Sequence, residues 1–238
     1  MKIYALNISG EDADSNFSSM INLASPEKKR KILNFRQKED AKRSLYSELL
    51  IRYLIGQRLG LSDELIEFEL NEFGKPSLLQ SEENFHFNLS HSGNWVVCML
   101  DSNPVGIDVE EIRPIDISLA DRFFSKKEVE ELNAEPIKGK LAKFFEMWTL
   151  KESYIKAVGK GLSIPLDSFS ILSQNNKYPK LCGKEISDLY YFRHYDLAHN
   201  YKLSACAKHN LFPDRVVKIN HFSIKEWYKD RIYEIQNT

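Results

Sequence analysis

The stretch Val105-Gly106-Ile107-Asp108-Val109-Glu110 alternates apolar residues with a glycine and two acids. Alternate side chains of a β-strand point to opposite faces, so the stretch predicts a strand with one apolar and one acidic face. The two carboxylates would stand roughly 6–7 Å apart at Cα, and like charges so close repel unless a cation or proton lies between them. Oxygen ligands without histidine or cysteine favour Mg²⁺. The alternative interpretation is an edge strand with a solvated polar face.

Residues 144–156 (FFEMWTLKESYIK) predict a helix with an apolar stripe. Eleven residues almost complete a whole number of turns, so Glu152 falls at the angle of Leu141 and Lys156 at the angle of Phe145. Both charges therefore lie within the stripe, where an unpartnered carboxylate is costly. One interpretation is a helix salt bridge worth a few tenths of a kcal/mol. A metal and a polyanionic ligand explain two charges in a core-facing stripe better.

Two further segments offer groups that bind phosphate. Residues 27–43 hold eight lysine or arginine side chains, and Lys28 and Lys31 share a helical face near a predicted helix N-terminus. Residues 87–93 (FNLSHSG) offer the Ser90 hydroxyl and His91 as donors. The sequence has no G-x-S-x-G nucleophile elbow beside them. Taken singly, the basic run is better explained as a solvated helix face, and a lone histidine after a strand is more often structural than catalytic.

The surrounding sequence predicts alternating helices and strands. Further strands are expected at residues 3–8, 68–70, 85–89, 95–100, 169–172, 190–196 and 202–207. Helices are expected to begin after Ser25, to run from about residue 39 to 59 with Gly60 as the stop, to begin again at the capping box of residues 125–128, and to run from near residue 140 to 159. The order strand, helix, strands occurs twice, which predicts an α+β fold with halves at residues 1–104 and 105–238 and a site at their junction.

Composition excludes several classes of protein. The 238 residues include 33 basic and 34 acidic side chains, a balance that argues against a nucleic-acid binder. The three cysteines are widely spaced and form no C-x-x-C pair, so neither a disulfide framework nor a zinc site is indicated. The longest apolar run, residues 95–100, is far shorter than a membrane span. We therefore expect a soluble, cytoplasmic protein without a membrane partner.

The combination of FGKP (73–76), FNLSHSG (87–93), GIDVE (106–110) and WTLKESYIKAVGKGL (148–162) resembles the Sfp-type 4′-phosphopantetheinyl transferases. The resemblance implies a monomeric α+β enzyme whose two similar halves, related by pseudo-twofold symmetry, hold coenzyme A between them. It implies Mg²⁺-dependent transfer of the phosphopantetheine arm of coenzyme A to a serine of an apo acyl or peptidyl carrier protein, with release of 3′,5′-ADP. Antibiotic and nonribosomal peptide biosynthesis are among the expected settings.

The resemblance also implies roles for individual residues. Asp108, Glu110 and Glu152 match the Mg²⁺ ligands of the family, and Lys156 matches a lysine near the pyrophosphate. The positions that match coenzyme A ligands are Lys28, Lys31, Ser44, Gly74, Lys75, Pro76, Ser90, His91 and Lys156. In the implied mechanism, Glu152 takes the serine proton directly or through water and Lys156 stabilises the departing phosphate. The stretch after Gly159 would meet the carrier.

Two alternatives stay open from the residues alone. A Mg²⁺-dependent nucleotide phosphohydrolase would use the same carboxylates with water as the nucleophile. A non-enzymatic module that binds coenzyme A or a nucleotide would use the same basic groups without turnover.

Overall fold

The computed structural model describes residues 1–79, 84–172, 179–182 and 189–236. The helices are α1 (Glu11–Met20), α2 (Pro26–Leu33), α3 (Lys38–Leu59), α4 (Ala120–Phe123), α5 (Lys126–Ala134), α6 (Ile137–Val158), α7 (His221–Trp227) and α8 (Lys229–Gln236). The strands are β1 (Lys2–Asn7), β2 (Phe68–Leu70), β3 (Pro76–Leu78), β4 (His86–Ser92), β5 (Trp95–Asp101), β6 (Val105–Glu111), β7 (Ser170–Leu172), β8 (Lys180–Cys182), β9 (Tyr191–Tyr195), β10 (Tyr201–Ala207) and β11 (Val217–Ile219). The expected α+β class is confirmed.

The first sheet has the strand order β11-β1-β5-β4 and carries α3 on one face. Residues Ala41, Leu45 and Leu49 recur every four positions along α3 and are buried against this sheet. The helix ends where Gly60 takes a left-handed conformation with φ 69°. The predicted helix of residues 39–59 and its glycine stop are therefore confirmed.

The second sheet has the antiparallel order β6-β10-β9 and carries α6 on one face. Helix α6 approaches β6 closely at Gly106, because a Cβ atom there would overlap the backbone oxygen of Ser153 and the backbone nitrogen of Ala157. The glycine thus sets the separation of helix and strand. Pro136 is the N-cap of α6, so this helix begins at Ile137 rather than near residue 140 as predicted.

The two sheets pack against each other through their other faces. Val105, Ile107 and Val109 of β6 lie in one buried cluster with residues of β1 and β5 such as Ile3 and Val97. The alternation predicted for residues 105–110 is confirmed, and the opposite face of β6 is turned towards α6. The molecule is therefore layered as helix, sheet, sheet, helix.

Strands β4 and β6 are joined by side chains instead of a backbone ladder. Polar atoms of β4 accept backbone N–H groups of β6: Asn88 Oδ1 from Ile107 (2.8 Å), Ser90 Oγ from Val109 (3.3 Å) and Ser92 Oγ from Glu111 (3.1 Å). Every second residue of β4 takes part, because alternate side chains share a face. These hydrogen bonds connect the two sheets at the edge where the acidic residues of β6 lie.

The end of the chain returns to the first sheet. Strand β11 pairs in parallel with β1, and Ile224 and Tyr228 are buried in the same cluster as the residues of α3. Residues 217–236 therefore pack with the predicted first half, although they follow the second half in sequence. The boundary between residues 104 and 105 stays a prediction.

Among the described residues, none of the helices is both long and apolar enough to cross a membrane.

Candidate active site

The acidic face of β6 meets the last turns of α6. Asp108 is buried, and its Oδ1 accepts hydrogen bonds from Lys156 Nζ at 2.6 Å and from Ser90 Oγ at 2.8 Å. Lys156 Nζ also donates to Ser90 Oγ at 3.1 Å. Glu110 Oε2 accepts from Ser92 Oγ at 2.7 Å. Asp108 and Glu110 are thus each held by a serine of β4.

The three acids have raised pKa values because they are buried and, for Glu110 and Glu152, because Asp108 lies near them. Burial raises the pKa of Glu152 to about 7, and the charge of Asp108 adds to this rise, while Lys156 opposes it. Burial also raises the pKa of Glu110, again with a contribution from Asp108. The pKa of Asp108 itself is raised by burial in spite of the adjacent Lys156 ammonium. The site therefore concentrates negative charge that needs a proton or a cation.

The predicted metal ligands are close, but they do not form a closed metal site. Within the described part of the chain, no group of three or more His, Cys, Asp or Glu side chains could hold a metal ion as placed. In the structure, Lys156 Nζ donates to Asp108 Oδ1 and Ser92 Oγ donates to Glu110 Oε2, so these two oxygens already have protein partners. Asp108 Oδ2, however, is buried without a hydrogen-bond partner in the structure. An orphaned carboxylate oxygen beside two further acids is a donor set that fits Mg²⁺.

A group of cations lies beside the acids. The pKa of His91 is lowered, first by packing around its ring and then by the charges of Arg43, Lys156 and Lys28. Arg43 Nη1 donates to the Gly93 carbonyl at 3.0 Å, which holds it next to the turn between β4 and β5. The four basic side chains come from α2, α3, β4 and α6. Arg43 also pairs with Asp40 and Lys156 with Asp108, so an anion bound here would add to existing ion pairs.

The other predicted coenzyme A ligands lie in different surroundings. Lys31 is exposed and pairs with Glu27 at 3.2 Å, and Ser44 is buried on α3. Gly74 lies in the β2–β3 turn with φ 83°, and Pro76 begins β3. The Lys75 ammonium binds backbone carbonyl oxygens and does not point to an open anion site.

Sequence reasoning missed three residues that shape this site. Arg43 was present in the basic run but was not singled out, because a run of cations does not show which one turns inward. Ser92 follows the same alternation as Asn88 and Ser90 on β4, so period-two spacing alone would have grouped it with Ser90. Asn71, whose Nδ2 donates to the Gly159 carbonyl at 2.9 Å, gave no sequence signal.

Comparison with known proteins identifies the family. A model described as "4'-phosphopantetheinyl transferase superfamily" matches residues 104–206, and one described as "4'-phosphopantetheinyl transferase, N-terminal" matches residues 11–103. The chain is 37% identical over 221 residues to the 4′-phosphopantetheinyl transferase Sfp of Bacillus subtilis, covering 93% of this chain and 98% of that protein. The chain belongs to the 4′-phosphopantetheinyl transferases.

A second curated relative agrees with this assignment. The transferase is 45% identical over 174 residues to the 4′-phosphopantetheinyl transferase psf-1 of Bacillus pumilus, covering 71% of this chain and 74% of that one. A solved holo-(acyl-carrier-protein) synthase of Bacillus anthracis in complex with CoA (3′,5′-ADP) aligns with 43% of this chain and 92% of its own, with 17% identity and a TM-score of 0.39. The predicted resemblance is confirmed, and the transferase is an enzyme.

Proposed function

We propose that the transferase moves the 4′-phosphopantetheine arm of coenzyme A to a serine of an apo acyl or peptidyl carrier protein, releases 3′,5′-ADP and depends on Mg²⁺. The observation that supports this proposal is the single site in which the acidic face of β6, Glu152 and Lys156 adjoin the cations around His91. Such a site provides one region for a pyrophosphate with a cation and a second region for a separate phosphate.

The cationic region suits the 3′-phosphate of coenzyme A. The positive charges of Lys28 and Arg43 both lower the pKa of His91. A phosphate dianion bound between these side chains would reduce the repulsion among them. Lys31 and Ser44 remain proposed coenzyme A ligands by resemblance. Gly74, Lys75 and Pro76 shape the turn on which the adenine side of the substrate would lie.

The acidic region suits proton transfer. A carboxylate with a pKa of about 7 is well matched to a general base near neutral pH, and this is the state of Glu152. Glu152 would take the proton of the attacking carrier serine, directly or through water. Lys156, held by Asp108 and Ser90, would place its ammonium next to the leaving phosphate.

Asp108, Glu110 and Glu152 would hold the Mg²⁺ ion. When bound, such an ion neutralises charge on a pyrophosphate that is being cleaved. Coordination would also lower the proton affinity of Glu152, so its proposed roles as metal ligand and as general base oppose each other.

The carrier would dock near the stretch that follows Gly159. Within that stretch Leu162 is exposed, whereas Leu166 and Phe169 are buried in the core beneath α6. The apolar surface that this stretch offers to a carrier is therefore limited to Leu162 and its exposed neighbours. We also propose that the enzyme is monomeric and cytoplasmic and that its site lies at the junction of two similar halves.

The test is incubation of the purified transferase with coenzyme A, Mg²⁺ and an apo carrier protein. We expect the carrier to gain the mass of the phosphopantetheine arm and 3′,5′-ADP to appear in equal amount. Free phosphopantetheine without a modified carrier would instead indicate a phosphohydrolase. Coenzyme A binding that survives Asp108→Ala, with no product from the unmodified protein, would indicate a binding module.

A further inference from the structure

The C-terminal end of α6 is capped by side chains that lie far earlier in the chain. The last carbonyl groups of an α-helix have no partner within the helix. Lys75 Nζ donates to the Lys156 carbonyl at 2.6 Å and to the Ala157 carbonyl at 3.4 Å, and Asn71 Nδ2 donates to the Gly159 carbonyl at 2.9 Å. Both donors belong to the β2–β3 turn.

The side-chain amide of Asn71 has two roles: its oxygen accepts hydrogen bonds within the turn, and its nitrogen caps the helix. Its Oδ1 accepts hydrogen bonds from the backbone nitrogens of Phe73 at 3.0 Å and Lys75 at 2.8 Å. The Gly74 nitrogen donates to the Asn71 carbonyl at 2.9 Å, and Gly74 adopts the positive φ that this turn requires. With Oδ1 used inside the turn, Nδ2 is directed at α6.

The Lys75 ammonium joins the two elements that carry the proposed chemistry. Besides the end of α6, it binds the Val105 carbonyl, the first residue of β6, at 3.1 Å. An ammonium has three N–H donors and no acceptor, so three carbonyl partners use its full capacity. A cation at a helix C-terminus is also favoured by the helix dipole. Burial lowers the pKa of Lys75 to about 8, which leaves the amine mainly protonated at pH 7.

We propose that Lys75 and Asn71 are positioning residues that hold the last turn of α6, and with it Lys156, against β6, and that the Lys75 amine does not bind a substrate phosphate. Lys156 is then fixed twice: its carbonyl by Lys75 and its ammonium by Asp108. The inference rests on the proposed function, because Lys156 is assigned its role there.

Two variants test the proposal. Lys75→Met keeps the length of the side chain and removes its donors. Asn71→Asp keeps the acceptor that orders the turn and replaces the donor to Gly159 by a carboxylate oxygen that the carbonyl repels, so it serves where Lys75→Met fails to fold. In both variants we expect kcat to fall by at least about tenfold while the KM for coenzyme A changes less than about twofold. Lys229→Met, at an exposed lysine of α8, is the matched control and should leave both constants unchanged.

The opposite kinetic pattern would overturn the inference. If Lys75 binds a phosphate, Lys75→Met raises the KM for coenzyme A and retains kcat. The KM for the 3′-dephospho analogue then stays unchanged for a contact to the 3′-phosphate and rises equally for a contact to the pyrophosphate.

Hydrogen exchange gives a readout that does not depend on catalysis. We expect the backbone amides of residues 156–160 to exchange faster in both variants than in the unmodified protein and in Lys229→Met. Unchanged exchange there contradicts the inference whatever the activity. An unmodified protein that transfers nothing refutes the proposed function, while the exchange result still decides the capping role.

Discussion

At the scale of single residues, the Asp108 carboxylate accepts hydrogen bonds from two neighbours through one of its oxygens. Its Oδ1 is shared by Lys156 and Ser90, and its Oδ2 is buried without a partner in the part of the chain that the structure describes. A buried, half-satisfied carboxylate costs folding free energy. We infer that this cost is retained because the free oxygen and the raised pKa values around it are useful to the site.

Glu152→Gln should stabilise the protein without metal and abolish transfer. The folded-state pKa of about 7 lies above the ordinary value of 4.5, so Glu152 lowers stability as pH rises from 4.5 to 7. At pH 8 without Mg²⁺, we expect the variant to gain about 1–3 kcal/mol in free energy of unfolding, a difference that disappears below pH 4.5. Denaturant titrations of both proteins at pH 8 and below pH 4.5 measure this difference in free energy of unfolding. A variant that still transfers at a near-normal rate would remove Glu152 from the mechanism.

His91→Ala should weaken coenzyme A binding through the 3′-phosphate. A hydrogen bond to a charged phosphate contributes about 1.5–3 kcal/mol, so we expect the KM for coenzyme A to rise at least about tenfold. The KM for the 3′-dephospho analogue should change little. Steady-state kinetics with both substrates checks this, and His199→Ala, at an exposed histidine, is the control. Equal effects on the two substrates would separate His91 from the 3′-phosphate.

At the scale of elements, β6 takes its position from the antiparallel ladder with β10 and from neighbours on its three other sides. Its apolar face packs on the first sheet, its backbone N–H groups are accepted by β4 side chains, and Gly106 lets α6 approach. Because the acids share the Gly106 face, the same contact that closes the helix on the strand brings Glu152 and Lys156 to Asp108. Site geometry therefore depends on the separation of helix and strand.

Gly106→Ala should severely destabilise the protein. The new Cβ would overlap backbone atoms of Ser153 and Ala157, which cannot move as the end of a side chain can. We expect a loss of about 3 kcal/mol or more in free energy of unfolding, or no soluble protein. Gly139→Ala is the matched control, since its Cβ would meet only the flexible side chain of Glu135, and it should be neutral. Equal melting temperatures of the two variants would contradict the close-contact explanation.

At the scale of the whole molecule, the packed sheets and the returning C-terminal segment join distant parts of the chain. Residues of β1, β5, β6 and β10 share one core, and β11 pairs with β1. We therefore expect residues 1–104 and 105–238 to unfold in one cooperative transition.

Ile224→Ala should show how strongly the end of the chain supports the first sheet. Ile224 is fully buried in the core beneath α3, whereas Phe222, two residues earlier, is 71% exposed. Truncating Ile224 should cost about 2–5 kcal/mol in free energy of unfolding, and Phe222→Ala less than about 0.5 kcal/mol. Thermal unfolding of both variants measures this. Similar small losses would mean that α7 contributes little to the core.

The sequence by itself determined the elements whose signals are local. Residues 39–59 and 105–110 repeat at helical and strand periods, and Gly60 and the capping box at Ser125 mark helix boundaries, so these features were predictable without the fold. The family motifs likewise predicted Asp108, Glu152 and Lys156 as site residues. Their spacing shows only that they share faces.

Tertiary structure decided which of these groups meet and what each one binds. Four features depend on contacts between residues far apart in sequence. They are the direction of the Lys75 ammonium, the capping of α6 by Asn71, the inward turn of Arg43 and the pairing of β11 with β1. Periodicity assigns a side chain to a face of its own element. Its partner is fixed only when the elements pack, because burial and hydrogen bonding are satisfied jointly by the whole chain.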